Sequence, residues 1–391
     1  MDYIKRRIQP LLKDTLARHK SILLLGARQT GKTTLINQLG ADFSISFIQP
    51  AVRLAYEQNP SQLTGEVEVL AETKKGKLLV CVDEVQKVPD ILDAVQDLID
   101  RHVADFILTG SSARKLRFGN KVNLLPGRVA LFHLDPLTYT ELRDRKPRIE
   151  DLLLYGSLPA ITLLTKPQYK EKDLSSYVTT YLEEEIRSEA VVRNVGQFAR
   201  FLSLAAAESG NIVNFRKLSQ EIGVAHTTIA SYYQILEDCL VAERIDPLLK
   251  TKMRRRLTKT SKYLFFDLGV RRLAAGEGLK LPAEYMGSLF EQWVGLELVR
   301  LARLSEQRAK VYFWRDADGP EVDWVLEKED HYIPIEVKWT ARPILADIKY
   351  LQLFSKEYSE TTAAYVVCRV ARKIKLADRV YALPWQELDT L

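Results

Sequence analysis

Eight residues near the amino terminus have the types and spacing of a phosphate-binding loop. They read Gly26-Ala27-Arg28-Gln29-Thr30-Gly31-Lys32-Thr33 and fit the P-loop pattern at every specified position. Glycines allow backbone N–H groups to wrap phosphates, Lys32 would reach the β- and γ-phosphates, and the Thr33 hydroxyl would ligate Mg²⁺. We therefore expect residues 26–34, with Thr34 opening a helix, to bind ATP and Mg²⁺.

Carboxylates and hydroxyls follow two further apolar runs. The run 77–82 leads into Asp83 and Glu84, as in a Walker B motif. Asp83 would hold the Mg²⁺ shell, and Glu84 would position or deprotonate the attacking water. The run 105–110 ends at Ser111 and Ser112, whose hydroxyls either sense the γ-phosphate and orient that water or simply form a Ser-rich turn. Together these residues predict ATP hydrolysis.

A second set of chemical groups lies in the last third of the chain. Asp323, Glu336 and Lys338 fall on two segments that read as neighbouring strands of a hairpin, and Glu291 lies on a preceding helix. Carboxylates are hard ligands for Mg²⁺, the ion would lower the pKa of bound water, and the lysine would orient that water. The pattern predicts a metal site at Asp323 and Glu336. It resembles the Asp…Glu-x-Lys arrangement of restriction-endonuclease-like nucleases, and this resemblance implies Glu291 as a further acidic ligand, with Glu297 as the rival for that role.

The elements that position these groups indicate an α/β chain. A buried strand, 22–25, precedes the P-loop, and a helix follows it. Strands are expected at 311–314, 321–326 and 332–338, with the last two joined by a hairpin through 328–331.

The middle of the chain reads as a helix-turn-helix followed by a short strand, which resembles a winged helix. The two helices are 214–224 and 229–238. Such units bind DNA through the start of the second helix, or serve as protein-contact modules, and both readings stay open. The candidate DNA contacts are His226, Thr227, Thr228 and Ser231. Residues 250–259 follow, with six basic residues and no acidic one. This run is either a segment that contacts phosphates or a solvated linker.

Bulk properties limit the class of protein. A length of 391 residues exceeds one hydrophobic core and predicts two or three domains. With 46% hydrophobic and 28% charged residues, a soluble globular protein is expected. Apolar runs fall short of the roughly 20 residues of a membrane span, and no signal-peptide core follows the first residues, so we expect a cytoplasmic protein without membrane contact. Three widely spaced cysteines indicate neither a disulfide framework nor a zinc cluster.

The order of motifs resembles a known family. The P-loop is followed by "VDEVQKVPD", "LTGSSARKL", "LPGRVALFHLDPLTYTEL" and "YGSLPA". This order is similar to bacterial and archaeal AAA-type ATPases with a C-terminal domain of formerly unknown function that resembles PD-(D/E)XK nucleases. The resemblance covers nearly the whole chain. It implies that Arg128 is an arginine finger or γ-phosphate sensor, with Arg114 and Arg117 as rivals, and that protomers form a homo-oligomer, of which a hexameric ring is one form.

These observations predict three domains in an α/β chain. They are a P-loop AAA-type ATPase domain at 1–167, a helical and winged-helix domain at 168–249, and a restriction-endonuclease-like domain at 250–391. The leading hypothesis is an ATP-hydrolysing enzyme that acts on DNA, with a C-terminal domain that binds or cleaves it. The alternative is a nucleotide-dependent switch that binds a protein partner and carries an inactive nuclease-like domain.

Overall fold

The protein is described from a computed structural model, which covers residues 3–112, 125–182, 194–249, 260–280, 283, 285–316 and 319–391. The strands are β1 Ser21–Leu25, β2 Phe43–Ser46, β3 Leu78–Asp83, β4 Ala104–Gly110, β5 Val129–His133, β6 Ala242–Ile245, β7 Lys262–Phe265, β8 Ala309–Arg315, β9 Glu321–Lys328, β10 His331–Val337, β11 Ala364–Cys368, β12 Ile374–Ala377 and β13 Val380–Pro384. No described helix is both long enough and apolar enough to cross a membrane.

Helices surround and connect these strands. They are α1 Gln9–Ala17, α2 Lys32–Ile36, α3 Pro50–Gln58, α4 Gln62–Thr73, α5 Ile91–Asp100, α6 Tyr139–Leu142, α7 Ile149–Tyr155, α8 Pro159–Thr162, α9 Pro167–Ser176, α10 Val195–Ala207, α11 Phe215–Ile222, α12 His226–Asp238, α13 Leu268–Ala274, α14 Tyr285–Leu304 and α15 Lys349–Glu357.

The first sheet is parallel and has the strand order β2-β3-β4-β1-β5. Every residue of β1 is buried, because the strand lies between β4 and β5 and is covered on both faces. In a parallel sheet the carboxyl ends of the strands meet at one edge. The P-loop after β1, the carboxylates at the end of β3 and the hydroxyls after β4 therefore share that edge.

The middle unit is helical and carries a two-stranded sheet. Its core joins Tyr155 and Leu174 to Phe201, Tyr233 and Val270. Helices α7 and α8, which the sequence assigned to the first domain, thus pack with the middle unit. Strand β7 and helix α13, which were expected in the last domain, belong there too, because β7 pairs with β6 and α13 packs into the same core. By packing, the middle unit runs from about residue 149 to residue 274, rather than from 168 to 249.

The C-terminal unit is a six-stranded mixed sheet with the order β12-β13-β11-β10-β9-β8. Strands β8, β9 and β10 are antiparallel neighbours, and β10, β11 and β13 are parallel. Helix α14 lies close against β9, since a Cβ at Gly295 would come within 2.5 Å of the Trp324 ring. The hairpin turn between β9 and β10 falls at Glu329 and Asp330, within the segment expected from the sequence.

Candidate nucleotide site and acidic cluster

The P-loop is a tightly constrained backbone loop. Gly31 has a φ of +95°, a conformation that L side chains rarely adopt, and a Cβ at Gly26 would lie 2.4 Å from the Leu134 carbonyl oxygen. The buried Lys32 ammonium donates to the carbonyl oxygens of Gly26 at 2.6 Å and Ala27 at 3.1 Å. The loop therefore encloses its own lysine, and α2 begins at that residue.

Arg6 supports the loop from the amino-terminal segment. Its guanidinium donates to the Thr30 carbonyl oxygen at 2.7 Å and to the Asp135 carbonyl oxygen at 2.6 Å, and it pairs with Glu141 at 3.1 Å. The side chains of Arg6 and Glu141 are 7% and 3% exposed, so the ion pair is shielded from water. Sequence reasoning missed Arg6, because its partners lie 24 to 135 residues away along the chain.

Asp83 lies at the centre of a hydroxyl network. One carboxylate oxygen accepts from the Thr33 hydroxyl at 3.4 Å and the Ser46 hydroxyl at 3.3 Å, and the other accepts from the Thr109 hydroxyl at 2.5 Å. The predicted pair of Thr33 and Asp83 is thus brought together. A carboxylate next to a hydroxyl at a helix N-terminus is a suitable ligand set for Mg²⁺ bound to phosphates.

Glu84 is held by two donors from neighbouring elements. The Glu84 backbone has a left-handed conformation, with a φ of +60°, and the residue is 7% exposed. One carboxylate oxygen accepts from the Gln86 amide at 2.6 Å and from the Ser111 hydroxyl at 3.0 Å. Ser111 therefore orients Glu84 in this structure. Gln86 was not singled out from the sequence, although it lies two residues beyond Glu84.

A cavity of 450 Å³ opens beside the loop and is bordered by Glu84. Its polar side consists of P-loop residues, namely Arg28, Gln29, Gly31, Lys32, Thr33 and Thr34. The cavity also has an apolar wall, which includes Ile4, Leu137, Pro159 and Leu163. A phosphate-facing wall and an apolar wall suit a nucleotide, since the base can bury its faces against aliphatic side chains. The apolar wall comes partly from the middle unit.

Arg128 does not lie at its own P-loop. The pairing of Ser21 with Val129 places it beside the amino end of β1, whereas the P-loop follows the carboxyl end. The intervening strand spans about 16 Å. The Arg128 guanidinium donates two hydrogen bonds to the Asp100 carboxylate, at 2.6 and 2.8 Å. The expectation that Arg128 senses the γ-phosphate within its own chain is therefore wrong. The rivals Arg114 and Arg117 lie outside the described residues.

Asp323, Glu336 and Lys338 are brought together on β9 and β10. Ile335 pairs with Trp324, and the next position of this antiparallel register sets Glu336 opposite Asp323. Opposed Cα atoms in such a pair are about 4.5–5.5 Å apart. Asp323 accepts a hydrogen bond from the Val337 N–H at 2.7 Å, and the Lys338 ammonium lies 2.7 Å from Glu336. Because directly opposed residues point to the same face of a sheet, the two carboxylates lie on one face.

Glu291 joins this group together with two residues that the sequence did not suggest. The Lys262 ammonium lies 3.2 Å from Glu291 and 3.0 Å from Glu321. We define the acidic cluster as Glu291, Glu321, Asp323 and Glu336. Lys262 comes from β7 of the middle unit, so the cluster is completed across two structural units.

Burial and repulsion govern the electrostatics of the cluster. Burial raises the pKa of Asp323 well above its ordinary value, and the charges of Glu291 and Glu336 raise it further. The pKa of Glu336 is also raised, first by burial. Burial works to lower the pKa of Lys262, but Glu291 and Glu321 more than offset it, so its pKa lies above the usual value.

The fit of a metal ion to the cluster is only partial. The Oε2 atom of Glu336 is buried and has no hydrogen-bond partner among the described atoms, as expected of an oxygen that could take a ligand. Yet the described parts of the chain contain no group of three or more His, Cys, Asp or Glu side chains arranged to hold an ion. Glu297 is wrong as the rival ligand: it is 2% exposed, pairs with Arg300 at 3.0 Å and accepts from the Tyr139 N–H.

The helix-turn-helix segment comprises α11 and α12, with Gly223 in the left-handed conformation ending α11. His226, Thr227 and Ser231 are exposed at the start of α12, and Thr228 is half-buried. Strands β6 and β7 form an antiparallel pair after it. The basic residues 250–259 connect these strands in sequence and lie outside the described residues, as do the three glutamates at 183–185.

Three family models match successive parts of the chain. Residues 18–143 match an AAA domain, residues 146–280 match a domain of unknown function (DUF8612), and residues 286–388 match another (DUF4143). Two relatives, the uncharacterized proteins Rv2008c of Mycobacterium tuberculosis and Mb2031c of Mycobacterium bovis, are each 27% identical over 383 residues, covering 97% of this chain and 83% of theirs.

Solved structures resemble the chain only loosely. Cdc6p from Pyrobaculum aerophilum has 14% identity and a TM-score of 0.30, covering 72% of this chain and 96% of its own. Protein VC1899 from Vibrio cholerae has 12% identity and a TM-score of 0.21, with 95% of each chain covered. Scores this low do not establish a common fold. The match of residues 18–143 to an AAA domain agrees with the P-loop, the parallel sheet and the cavity, and it supports an AAA-type ATPase.

Proposed function

We propose that the chain is an ATP-hydrolysing enzyme that acts on DNA. The observation that carries the ATPase part is the position of Glu84, which borders the cavity next to Lys32 and Thr33 and is fixed by Gln86 and Ser111. A buried carboxylate held by two donors is pre-oriented to accept a proton from water. A carboxylate held in place avoids reorganisation during the reaction, which lowers the barrier.

Each side chain of the site has a distinct task in this mechanism. Lys32 would exchange its carbonyl partners for phosphate oxygens, and backbone N–H groups of the loop would hold the same phosphates. Thr33 and Asp83 would hold Mg²⁺, which neutralises charge on the phosphates when bound. Glu84 would then receive the proton of the attacking water, while Ser111 keeps its carboxylate in position.

Support for DNA as the second substrate comes from the middle unit. The start of α12 presents the exposed polar side chains of His226, Thr227 and Ser231, the arrangement by which helix-turn-helix units reach base edges. The basic sequence of 250–259 follows with six cations, which would add phosphate contacts. The sheet of the C-terminal unit, with Asp323, Glu336 and Lys338 together, supports a nuclease-like domain that binds or cleaves DNA.

A further proposal concerns how protomers assemble. AAA-type domains commonly complete their sites between subunits, and Arg128, which lies far from its own P-loop, would be available to a neighbour after releasing Asp100. We therefore propose a homo-oligomer.

The alternative function, a nucleotide switch that binds a protein partner, is favoured if the acidic cluster takes no part in DNA chemistry.

The test measures ATP turnover and DNA binding in the same preparation. Purified protein is incubated with branched, duplex and single-stranded DNA, with and without ATP and Mg²⁺, over a range of salt concentrations. We expect ATP hydrolysis and a binding constant that falls steeply with salt, since phosphate contacts release counterions. ATP turnover without measurable affinity for any DNA would support the protein-binding switch instead.

A further inference from the structure

Lys262 occupies the middle of the acidic cluster. Its side chain is 3% exposed, and its ammonium lies 3.2 Å from Glu291 and 3.0 Å from Glu321. The ring faces of Phe313 and Trp324 also lie near it, with centroids 5.1 and 5.2 Å from the Nζ atom. A cation placed over aromatic faces and between carboxylates is stabilised from several sides.

We propose that Lys262 is the resident cation of the acidic cluster and excludes divalent metal ions from it while the middle and C-terminal units are joined. This inference rests on the proposed metal chemistry of the cluster and assigns a regulator to that same site. Lys262 belongs to the middle unit, whereas the carboxylates lie on α14, β9 and β10 of the C-terminal unit.

Geometry sets the ammonium and a metal ion in competition. Mg²⁺ requires carboxylate oxygens at about 2.0–2.1 Å and holds them in a nearly octahedral arrangement. An ion bound to the Glu291 oxygen that now faces Lys262 would lie within a few ångströms of the ammonium. At that separation like charges repel strongly in a site with little water. One cation must therefore leave before the other can bind this oxygen.

Charge balance leads to the same conclusion. The four carboxylates of the cluster face three basic side chains, namely Lys262 and Lys338 in contact with them and Arg315 at 3.3 Å from Glu321. The imbalance is one negative charge when every group is ionised. A divalent ion would overcompensate it, whereas removal of Lys262 would leave two uncompensated negative charges, which one divalent ion would neutralise.

The backbone around Lys262 ties it to the C-terminal unit. Residue 262 starts β7, which pairs with β6, and the continuation of β6 bonds to β8 through the Leu248 N–H and the Phe313 carbonyl oxygen at 2.7 Å. Arg303 of α14 also pairs with Glu243 of β6. These contacts hold the Lys262 backbone beside the acidic cluster. Separation of β6 and β7 from the C-terminal sheet would withdraw it.

The carboxylates that Lys262 does not touch are prepared for another ligand. Glu336 is 7% exposed, and its Oε2 atom has no partner among the described atoms. Asp323 lies opposite Glu336 in the register of β9 and β10. Removal of the ammonium would add a Glu291 oxygen to these two side chains. No three carboxylates of the described residues are arranged to hold an ion in this structure. Without the ammonium, their mutual repulsion would favour a rearrangement around a divalent ion such as Mg²⁺ or Mn²⁺, which prefers oxygen ligands.

The experiment measures Mn²⁺ binding without nucleotide, by the electron paramagnetic resonance signal of the free ion. Wild type is compared with Lys262→Met and with Lys262→Met/Glu321→Gln, the second of which removes one charge of each sign and limits unfolding. Lys77→Met is the matched control, because Lys77 pairs with Asp105 in the ATPase domain, away from the cluster. Melting temperature with and without Mn²⁺ provides an independent readout.

We expect Lys262→Met to bind one additional Mn²⁺ at least about tenfold more tightly than wild type. Lys262→Met/Glu321→Gln, which keeps the charge imbalance of wild type, should gain less, and Asp323→Asn added to either variant should remove the gain. Lys77→Met should behave as wild type. Equal Mn²⁺ affinity in wild type and both Lys262 variants would overturn the inference while leaving a metal site in place. Absence of additional binding in every variant would overturn both the inference and the metal chemistry of the proposed function.

Discussion

Arg6 is the residue whose replacement tests the described nucleotide site most directly. It pairs with Glu141 and donates to the carbonyl oxygens of Thr30 and Asp135. Loss of one partner of a buried ion pair costs about 3–5 kcal/mol. Glu141 keeps hydrogen bonds from the N–H groups of Arg7 and Thr138, so the lower end applies to Arg6→Met. For a unit of 150–250 residues, about 3 kcal/mol lowers the melting temperature by about 6–12 °C.

Nucleotide affinity should fall as well, for a separate reason. Without the bond from Arg6, the Thr30 carbonyl is free to turn, and the loop must be ordered at the expense of binding energy. A hydrogen bond from a charged donor contributes about 1.5–3 kcal/mol. We therefore expect ATP affinity to fall by at least about tenfold, as measured by isothermal titration calorimetry with a non-hydrolysable analogue.

A double variant separates the two effects of Arg6. Arg6→Met/Glu141→Gln removes the unpaired carboxylate, so part of the lost thermal stability should return, whereas the bond to Thr30 stays absent and ATP affinity should stay low. Wild-type ATP affinity in this double variant would refute the view that Arg6 orders the P-loop. Its contribution would then be to stability alone.

Three further predictions concern the proposed catalytic carboxylate, the predicted arginine finger and the basic segment. Glu84→Gln should preserve ATP binding and lower the turnover number by at least about 100-fold, and Ser111→Ala should lower it less, since Gln86 still holds the carboxylate; steady-state kinetics measures both. Arg128→Ala should leave the ATP affinity of the isolated protomer unchanged, because a strand of about 16 Å separates it from the P-loop; a weaker affinity by calorimetry would contradict this placement. Replacing residues 254–256 by Ala should weaken DNA binding and flatten its salt dependence by up to about three phosphate contacts, as measured by fluorescence anisotropy.

The arrangement of the proposed ATP site was largely predictable from the sequence, since its parts follow successive strands of one sheet. Each of β1, β3 and β4 ends in a short polar motif, and parallel strands bring those ends to the same edge without further information. The apolar wall formed by Pro159 and Leu163 was not predictable in this way. Those residues lie in the middle unit, and their position depends on how two units pack.

The same limit applies to the acidic cluster. Asp323, Glu336 and Lys338 could be placed together because a hairpin fixes cross-strand neighbours once its turn is known. Lys262 could not be linked to them, since 29 residues separate it from Glu291 and it belongs to another sheet. The predicted domain boundary between residues 249 and 250 was misplaced for a related reason. Strand β7 pairs with β6, although the basic run 250–259 lies between the two strands in sequence.

The choice between Glu291 and Glu297 could have been made from helical geometry alone. Six residues rotate a helix by about 600°, which leaves the two side chains about 120° apart around the axis, so they cannot face the same site. The structure agrees: Glu291 borders the cleft that contains Asp323, while Glu297 turns towards Arg300 and the Tyr139 N–H. Burial away from solvent raises the pKa of Glu297, and the adjacent Arg300 opposes that rise. Glu297 therefore joins α14 to the first residue of α6, and Glu291 remains the proposed helical ligand for an ion.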